Sequence, residues 1–317
     1  MNLLAAQIRS GLVETTHQGA VAVIAPDASL VARFGDIDRP FFLRSSAKPF
    51  QAFVSQQAGA DLSRLQLAVA CASHRGFPVH VALVSSILED AGLGEDALQC
   101  PPDWPLDASA ARMALRDGAG EPRRLWHNCS GKHAGFLRAC VASGWPVENY
   151  LDPSHPLQRA VIDFVSAIGG FPVEPVGVDG CGAPVLRTTV RAMATMFARL
   201  GSDPVLSDVF TAMHRYPALV AVNGQGDTEI AIVTNSAAKG GAQGCVGVAV
   251  SDRFGVAVKS WDGLGQVACL GAASALDQLG VLSATARDTL EPVIHPPVLG
   301  GGRPVGRLEP RFDLEMS

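Results

Sequence analysis

Reactive side chains cluster in five short segments of this 317-residue chain. The first is Arg44-Ser45-Ser46-Ala47-Lys48-Pro49, where Lys48 follows Ser45 by three residues. On a helix that spacing places both side chains on one face. A lysine amine accepts a serine proton only when it is neutral, and burial or nearby cations lower its pKa toward that state. The pair therefore has the form of a nucleophile and its base. The same four residues also describe a helix-capping serine beside a surface lysine, so the motif gains meaning only in combination.

The second segment, Cys71-Ala72-Ser73-His74-Arg75-Gly76, follows the apolar run Leu67–Ala70, which puts Ser73 at the end of an element. The third, His127-Asn128-Cys129-Ser130-Gly131-Lys132-His133-Ala134-Gly135, sets amide, thiol, hydroxyl, amine and imidazole side by side. It is not a phosphate loop: Trp126 stands where the first glycine is needed, and Lys132 is followed by His133. Cys129 with Lys132 or His133 makes half of a metal site; Cys129 with His133 also makes a thiol nucleophile and base. The fourth, Val178-Asp179-Gly180-Cys181-Gly182-Ala183-Pro184, offers a second thiolate in Cys181. Its Asp179 carboxylate can bind a substrate amine or orient a lysine. The fifth, Ala238-Lys239-Gly240-Gly241-Ala242-Gln243-Gly244, sets a lysine in a glycine-rich run before a strand. Taken singly, these segments are also ordinary loops and helix starts.

A scaffold must bring them together. Apolar runs at residues 20–25 and 30–34 flank Pro26-Asp27 and predict a hairpin, with Phe41-Phe42-Leu43 as a third strand. Apolar spacing predicts helices over Ser45–Ala58, Val79–Ala91, Gly131–Ala142, Pro156–Ile168 and Pro184–Leu200. Strands are expected at Glu229–Val233, Cys245–Val250 and Gly255–Lys259, followed by a helix at Gly265–Leu279. Residues 296–317 are expected to form an irregular tail. Strands at both ends with helices between predict an α+β fold, an antiparallel sheet built from the N- and C-terminal strands with packed helices. No long linker divides the chain, so 1–317 is expected to be one catalytic unit.

Apolar residues make up 48% of the chain and charged residues 17%, which argues for a large core and against disorder. The net charge is −5 with no basic stripe, so nucleic acid is not an expected partner. No stretch of 18 uncharged apolar residues predicts a membrane span. The N-terminus lacks the pattern of a signal peptide, and a cytoplasmic protein is expected. The seven cysteines are irregularly spaced, which favours free thiols or metal ligands over disulfides.

Order ties the segments together. Ser-x-x-Lys, then a serine, then Lys-Gly-Gly near a late strand is the chain order of a Ser/Lys acyl-transfer site such as that of the serine β-lactamases. Longer runs make the likeness specific: Val13-Glu14 with His17 and Gly19, Arg44-Ser45-Ser46-Ala47-Lys48-Pro49-Phe50-Gln51, Cys71-Ala72-Ser73-His74 and Asn128-Cys129-Ser130-Gly131-Lys132-His133-Ala134-Gly135. Asp152-Pro153 with His155-Pro156, Asp179-Gly180-Cys181 and Lys239-Gly240-Gly241-Ala242 extend it. On these runs the chain resembles the rhizobial-type (class 3, asparaginase II family) bacterial L-asparaginases.

The resemblance implies a fold like that of serine β-lactamases and glutaminases, a homodimer, and hydrolysis of L-asparagine to L-aspartate and ammonia. Carried over by motif, Ser45 with Lys48 and Ser73 with Lys239 are the catalytic pairs, and the motifs leave open which serine is the nucleophile. Arg44, His133 and Asp179 fall on substrate-binding positions. Cys129, Lys132 and Cys181 fall on the ligands of a zinc ion (Zn²⁺) that supports substrate binding rather than the chemistry. A lysine ligand must be a neutral amine, a state that the metal itself favours. Two positions depart from the family: Phe77 replaces an acid in the Ser73 run, and Asp227 replaces a cation after Gly224-Gln225-Gly226. They motivate two alternatives, a related amidase acting on glutamine, β-aspartyl or lactam substrates, and a catalytically weak zinc- or amino-acid-binding homologue.

Overall fold

The computed structural model describes residues 2–317. Strands β1 (Leu3–Arg9), β2 (Leu12–Ile24) and β3 (Leu30–Phe34) open the chain, followed by the short β4 (Phe41–Phe42). A tight helical turn at Arg44–Ala47 leads into α1 (Lys48–Ser55), α2 (Arg64–Ala70), α3 (Pro78–Asp90), α4 (Ala108–Arg116), α5 (Ser130–Ser143) and α6 (Pro156–Gly169). Short strands β5 (Gly177–Val178), β6 (Pro184–Val185) and β7 (Arg187–Thr188) precede α7 (Val190–Ser202), α8 (Ser207–Arg215), α9 (Pro217–Val220) and α10 (Gly226–Thr234). Then come β8 (Ala237–Gly241), β9 (Cys245–Val250), β10 (Phe254–Ser260), α11 (Gly265–Gln278) and α12 (Ala284–Ile294). β11 (Pro297–Gly300), β12 (Arg303–Pro310) and β13 (Glu315–Met316) close the chain. None of the described helices is long and apolar enough to cross a membrane.

The main sheet is antiparallel, in the order β11-β12-β1-β2-β10-β9-β8, with β3 also on β2 and β13 on β3. It is assembled from the two ends of the chain, as the sequence pattern predicts. Its middle strands are buried on both faces, and residue size sorts the faces. Ala20, Ala22, Ala249 and Ala257 turn toward α7; Val21, Val23, Val246, Val248, Val256 and Val258 turn toward α11. The small residues let α7 lie close to the sheet. A Cβ on Gly247 would fall 2.2 Å from the Phe197 ring, and one on Gly255 would fall 2.2 Å from Ala194 O.

Beyond α7, α1, α2 and α3 pack around the largely buried α5. Gly131 makes the tightest of these approaches possible: a Cβ there would sit 2.3 Å from Val69 O at the end of α2. The helices start where capping residues stand. Ser63 and Gln66 form a reciprocal capping box on α2, and the Thr189 hydroxyl accepts from Ala192 N (3.1 Å) to begin α7.

Several expectations are corrected. Glu229–Val233 is helical, within α10; its first turn carries Asp227 and Glu229, which complement the positive end of a helix. The helix expected from Pro184 begins at Val190, because Pro184–Thr188 pairs as β6 and β7 with β5 and β4. β4 therefore lies off the main sheet. The tail is not irregular: β12 pairs with β1 in the register Ala6↔Glu309, and β13 joins β3. Of β12, only Leu308 is buried, so backbone pairing rather than apolar alternation makes it a strand.

Candidate active site

The site lies where the helices meet β8. The turn at Arg44–Ala47 carries Ser45, α1 opens with Lys48, Ser73 follows the end of α2, and β8 carries Lys239. Both lysines are buried, each about 1% exposed. Lys48 Nζ donates to Ser73 Oγ (3.1 Å), Ala72 O (2.6 Å) and Asn128 O (3.2 Å). Three acceptors match the three donors of an ammonium group. The pairing thus differs from the expected one. Lys48 bonds Ser73, and among the described residues no hydrogen bond joins Ser45 to Lys48 or Ser73 to Lys239.

Ser45, Ser73 and Lys239 line one cavity of about 520 Å³, together with Asn128 and Asp227. Lys239 Nζ donates to Gly240 O (2.7 Å). Burial, with the charge of Lys48 nearby, pushes the Lys239 amine down to about 8, against the pull of Asp227. Asp227 caps the neighbouring backbone: Oδ2 accepts from Gly240 N (2.8 Å) and Oδ1 from Thr228 N (3.0 Å). The glycines of the Lys-Gly-Gly run are steric. A Cβ on Gly240 would meet Asp227 Oδ2 at 2.9 Å, and one on Gly241 would meet Leu43 O at 2.7 Å. This contact seats β8 on the Ser45 turn. Ser45 and Ala242 flank the cavity, and neither of their N–H groups is bonded to a backbone acceptor among the described residues.

Next to Asn128 lies a closed cluster. Cys129, Lys132, His133 and Cys181 are all buried. Lys132 Nζ lies 3.1 Å from Cys181 Sγ. A hydrogen bond with Cys181, reinforced by the charges of Lys48 and Lys132, holds the Cys129 thiol well below its usual range despite burial. Burial works against the Lys132 ammonium, but the Cys181 and Cys129 sulfurs outweigh it and raise its pKa. His133 Nδ1 lies 2.7 Å from Tyr150 Oη, which also accepts from Gln99 N (2.9 Å). The tyrosine proton therefore goes to Nδ1, and the ring proton sits on Nε2. That Nε2 is buried without a hydrogen-bond partner, and burial lowers the ring pKa to about 4. Arg44, held at a left-handed φ of 49°, donates from Nε to Asp179 Oδ1 (2.7 Å).

Three of the four residues expected to be catalytic thus line the cavity, Lys48 contacts it through Ser73, and the three expected zinc ligands gather in the cluster. Arg44 and Asp179 meet each other. The two departures from the family separate: Asp227 lines the cavity, whereas Phe77 is outside its lining and packs near His80 with ring centroids 6.0 Å apart. Arg75, Gln225 and Asn128 also line the cavity, although the sequence reading assigned them no role. Each neighbours a singled-out residue, which was the available signal.

The family described as L-asparaginase II matches residues 5–310. The chain belongs to that family. No curated protein matches the chain. Among solved structures it is similar to Mglu in its native form, at 16% identity over 83% of this chain and 64% of that one, with a TM-score of 0.47. The chain therefore spans a little under two thirds of Mglu. It is also similar to a Bacillus glutaminase (11% identity, 83% and 91% coverage, TM-score 0.37) and to ybaS, a probable glutaminase (15% identity, 83% and 85% coverage, TM-score 0.39).

Proposed function

We propose that the protein hydrolyses the side-chain amide of L-asparagine to L-aspartate and ammonia. The observation that carries the reading is the 3.1 Å contact from Lys48 Nζ to Ser73 Oγ at a cavity also lined by Ser45 and Lys239. Ser45 attacks the amide carbonyl. Its proton passes through the Ser73 hydroxyl to the Lys239 amine, whose lowered pKa leaves a useful neutral fraction near pH 8. Lys48 holds Ser73 in place for the transfer. The developing oxyanion accepts from the free N–H groups of Ser45 and Ala242, each worth about 3–4 kcal/mol in comparable sites. The proton then returns to the departing ammonia, and water releases aspartate from the serine ester by the same route.

Two thiols and a lysine amine form a donor set suited to zinc, although no three His, Cys, Asp or Glu side chains form a metal group among the described residues. Cys129, Lys132 and Cys181 would hold the ion, which when bound would supply fixed positive charge to the site. Glutamine is the second reading, motivated by Asp227 in the cavity wall.

The test is ammonia release from asparagine and glutamine, with and without added Zn²⁺. Turnover of asparagine above glutamine is expected. Release from glutamine alone moves the assignment to the second reading, and release from neither contradicts both.

A further inference from the structure

Arg75 lines the same cavity, and its charge is not neutralised. Its guanidinium donates to the neutral side-chain oxygen of Gln225. No carboxylate lies within ion-pair distance of it among the described residues, whereas Arg44, next to Ser45 in the chain, is paired with Asp179 at 2.7 Å. The neighbouring acid, Asp107, has its Oδ1 taken by Ser109 N (2.8 Å) and Ala110 N (3.2 Å). The cavity's own acid, Asp227, is spent on Gly240 N and Thr228 N. Arg75 therefore keeps most of its five N–H donors for a ligand, and their fork matches a carboxylate.

The backbone fixes its aim. Gly76 takes a left-handed φ of 80°, and a Cβ there would fall 2.7 Å from Pro105, so the turn after Arg75 is tightly packed. Arg75 follows Ser73 by two residues, and both line the cavity.

We propose that Arg75 is a specificity-determining residue that anchors a carboxylate of the amide substrate. The inference rests on the amidohydrolase reading above and narrows its substrate class. The preferred substrates are amides bearing a free carboxylate; neutral amides and uncharged lactams leave the guanidinium without its partner and are disfavoured.

The test compares wild type, Arg75→Gln and Arg75→Lys on L-asparagine and on L-aspartic acid diamide, in which the α-carboxylate is itself an amide. The ratio of kcat/KM for asparagine over diamide is expected to fall about 10- to 100-fold in Arg75→Gln, mainly through KM, with partial recovery in Arg75→Lys. Equal losses on both substrates, or an unchanged ratio, overturn the proposal. Calorimetric titration with L-aspartate reads the same contact without turnover. Binding by wild type that is lost in Arg75→Gln upholds the carboxylate anchor even if no amide is hydrolysed, which separates it from the catalytic reading. Aspartate binding that is absent from wild type, or unchanged in Arg75→Gln, overturns it. Thermal melts of both variants identify any loss caused by misfolding.

Discussion

The serine–lysine cavity and the thiol cluster share a wall at Asn128 but are built in opposite ways. In the cavity the hydroxyls of Ser45 and Ser73 are half-buried and reachable, glycines keep the backbone bare, and Arg75 and Lys239 have no ion-pair partner among the described residues. In the cluster the groups are closed off and matched with one another: Lys132 with Cys181, and His133 with Tyr150. Groups left unsatisfied at a solvent-reachable face are available to a substrate. Groups satisfied in the interior hold shape and tune charge. The comparison divides the reaction chemistry from its support.

The largest expected effect tests that division directly. Lys48→Met should lower kcat for asparagine about 1,000-fold or more, since it removes the group that holds Ser73. Cys181→Ser should raise KM about tenfold and change kcat little, since Cys181 belongs to the buried cluster and does not line the cavity. Steady-state ammonia release measures both, and an equal kcat loss in Cys181→Ser would break the comparison.

Lys239 links activity to stability. Its pKa falls from 10.5 unfolded to about 8 folded, so between those values the unfolded chain binds more protons. Stability is therefore gained as pH rises from 8 toward 10.5, and the cost of the buried charge is full below pH 8. Lys239→Met should lower turnover about 100- to 1,000-fold yet raise unfolding free energy at pH 7 by up to about 3 kcal/mol, an advantage that fades above pH 8. Urea unfolding across pH checks it. Wild-type kcat/KM should rise with pH to a plateau just above pH 8.

The glycines sharpen the contrast between frame and site. Gly131→Ala drives a Cβ onto Val69 O and should cost about 1–3 kcal/mol in urea unfolding. Gly240→Ala meets only the end of the Asp227 side chain, so it should cost less stability and register mainly in kcat/KM. The smallest effect is expected at Phe77. Phe77→Glu restores the family's acid outside the cavity and should change kcat/KM by less than about threefold, whereas Asp227→Arg should change it far more.

The site was more legible than the frame. Short motifs named Ser45, Lys48, Ser73 and Lys239, because hydroxyl and amine pairs in glycine-rich or element-end settings are recognisable without knowing how the chain folds. Their pairing was not legible: whether Lys48 reaches Ser45 or Ser73 depends on α1 packing beside the end of α2, a long-range contact. Arg75 escaped notice because a lone arginine acquires meaning only when its neighbours prove to be neutral. In the frame, the apolar runs of β9 and β10 announced themselves because both faces are buried. The segment Glu229–Val233 misled because a five-residue apolar run fits strand or helix, and the acidic first turn of α10 was the overlooked cue. β12 gave no alternation to read, being mostly exposed and held by its ladder with β1.

The central claim is that Ser73 and Lys48 act as one unit, and a double-mutant cycle on kcat for asparagine measures it. Residues working as a unit lose their function together, so Ser73→Ala with Lys48→Met should be no slower than the worse single variant. Losses that multiply, with the double variant slower by the product of the two, would contradict it.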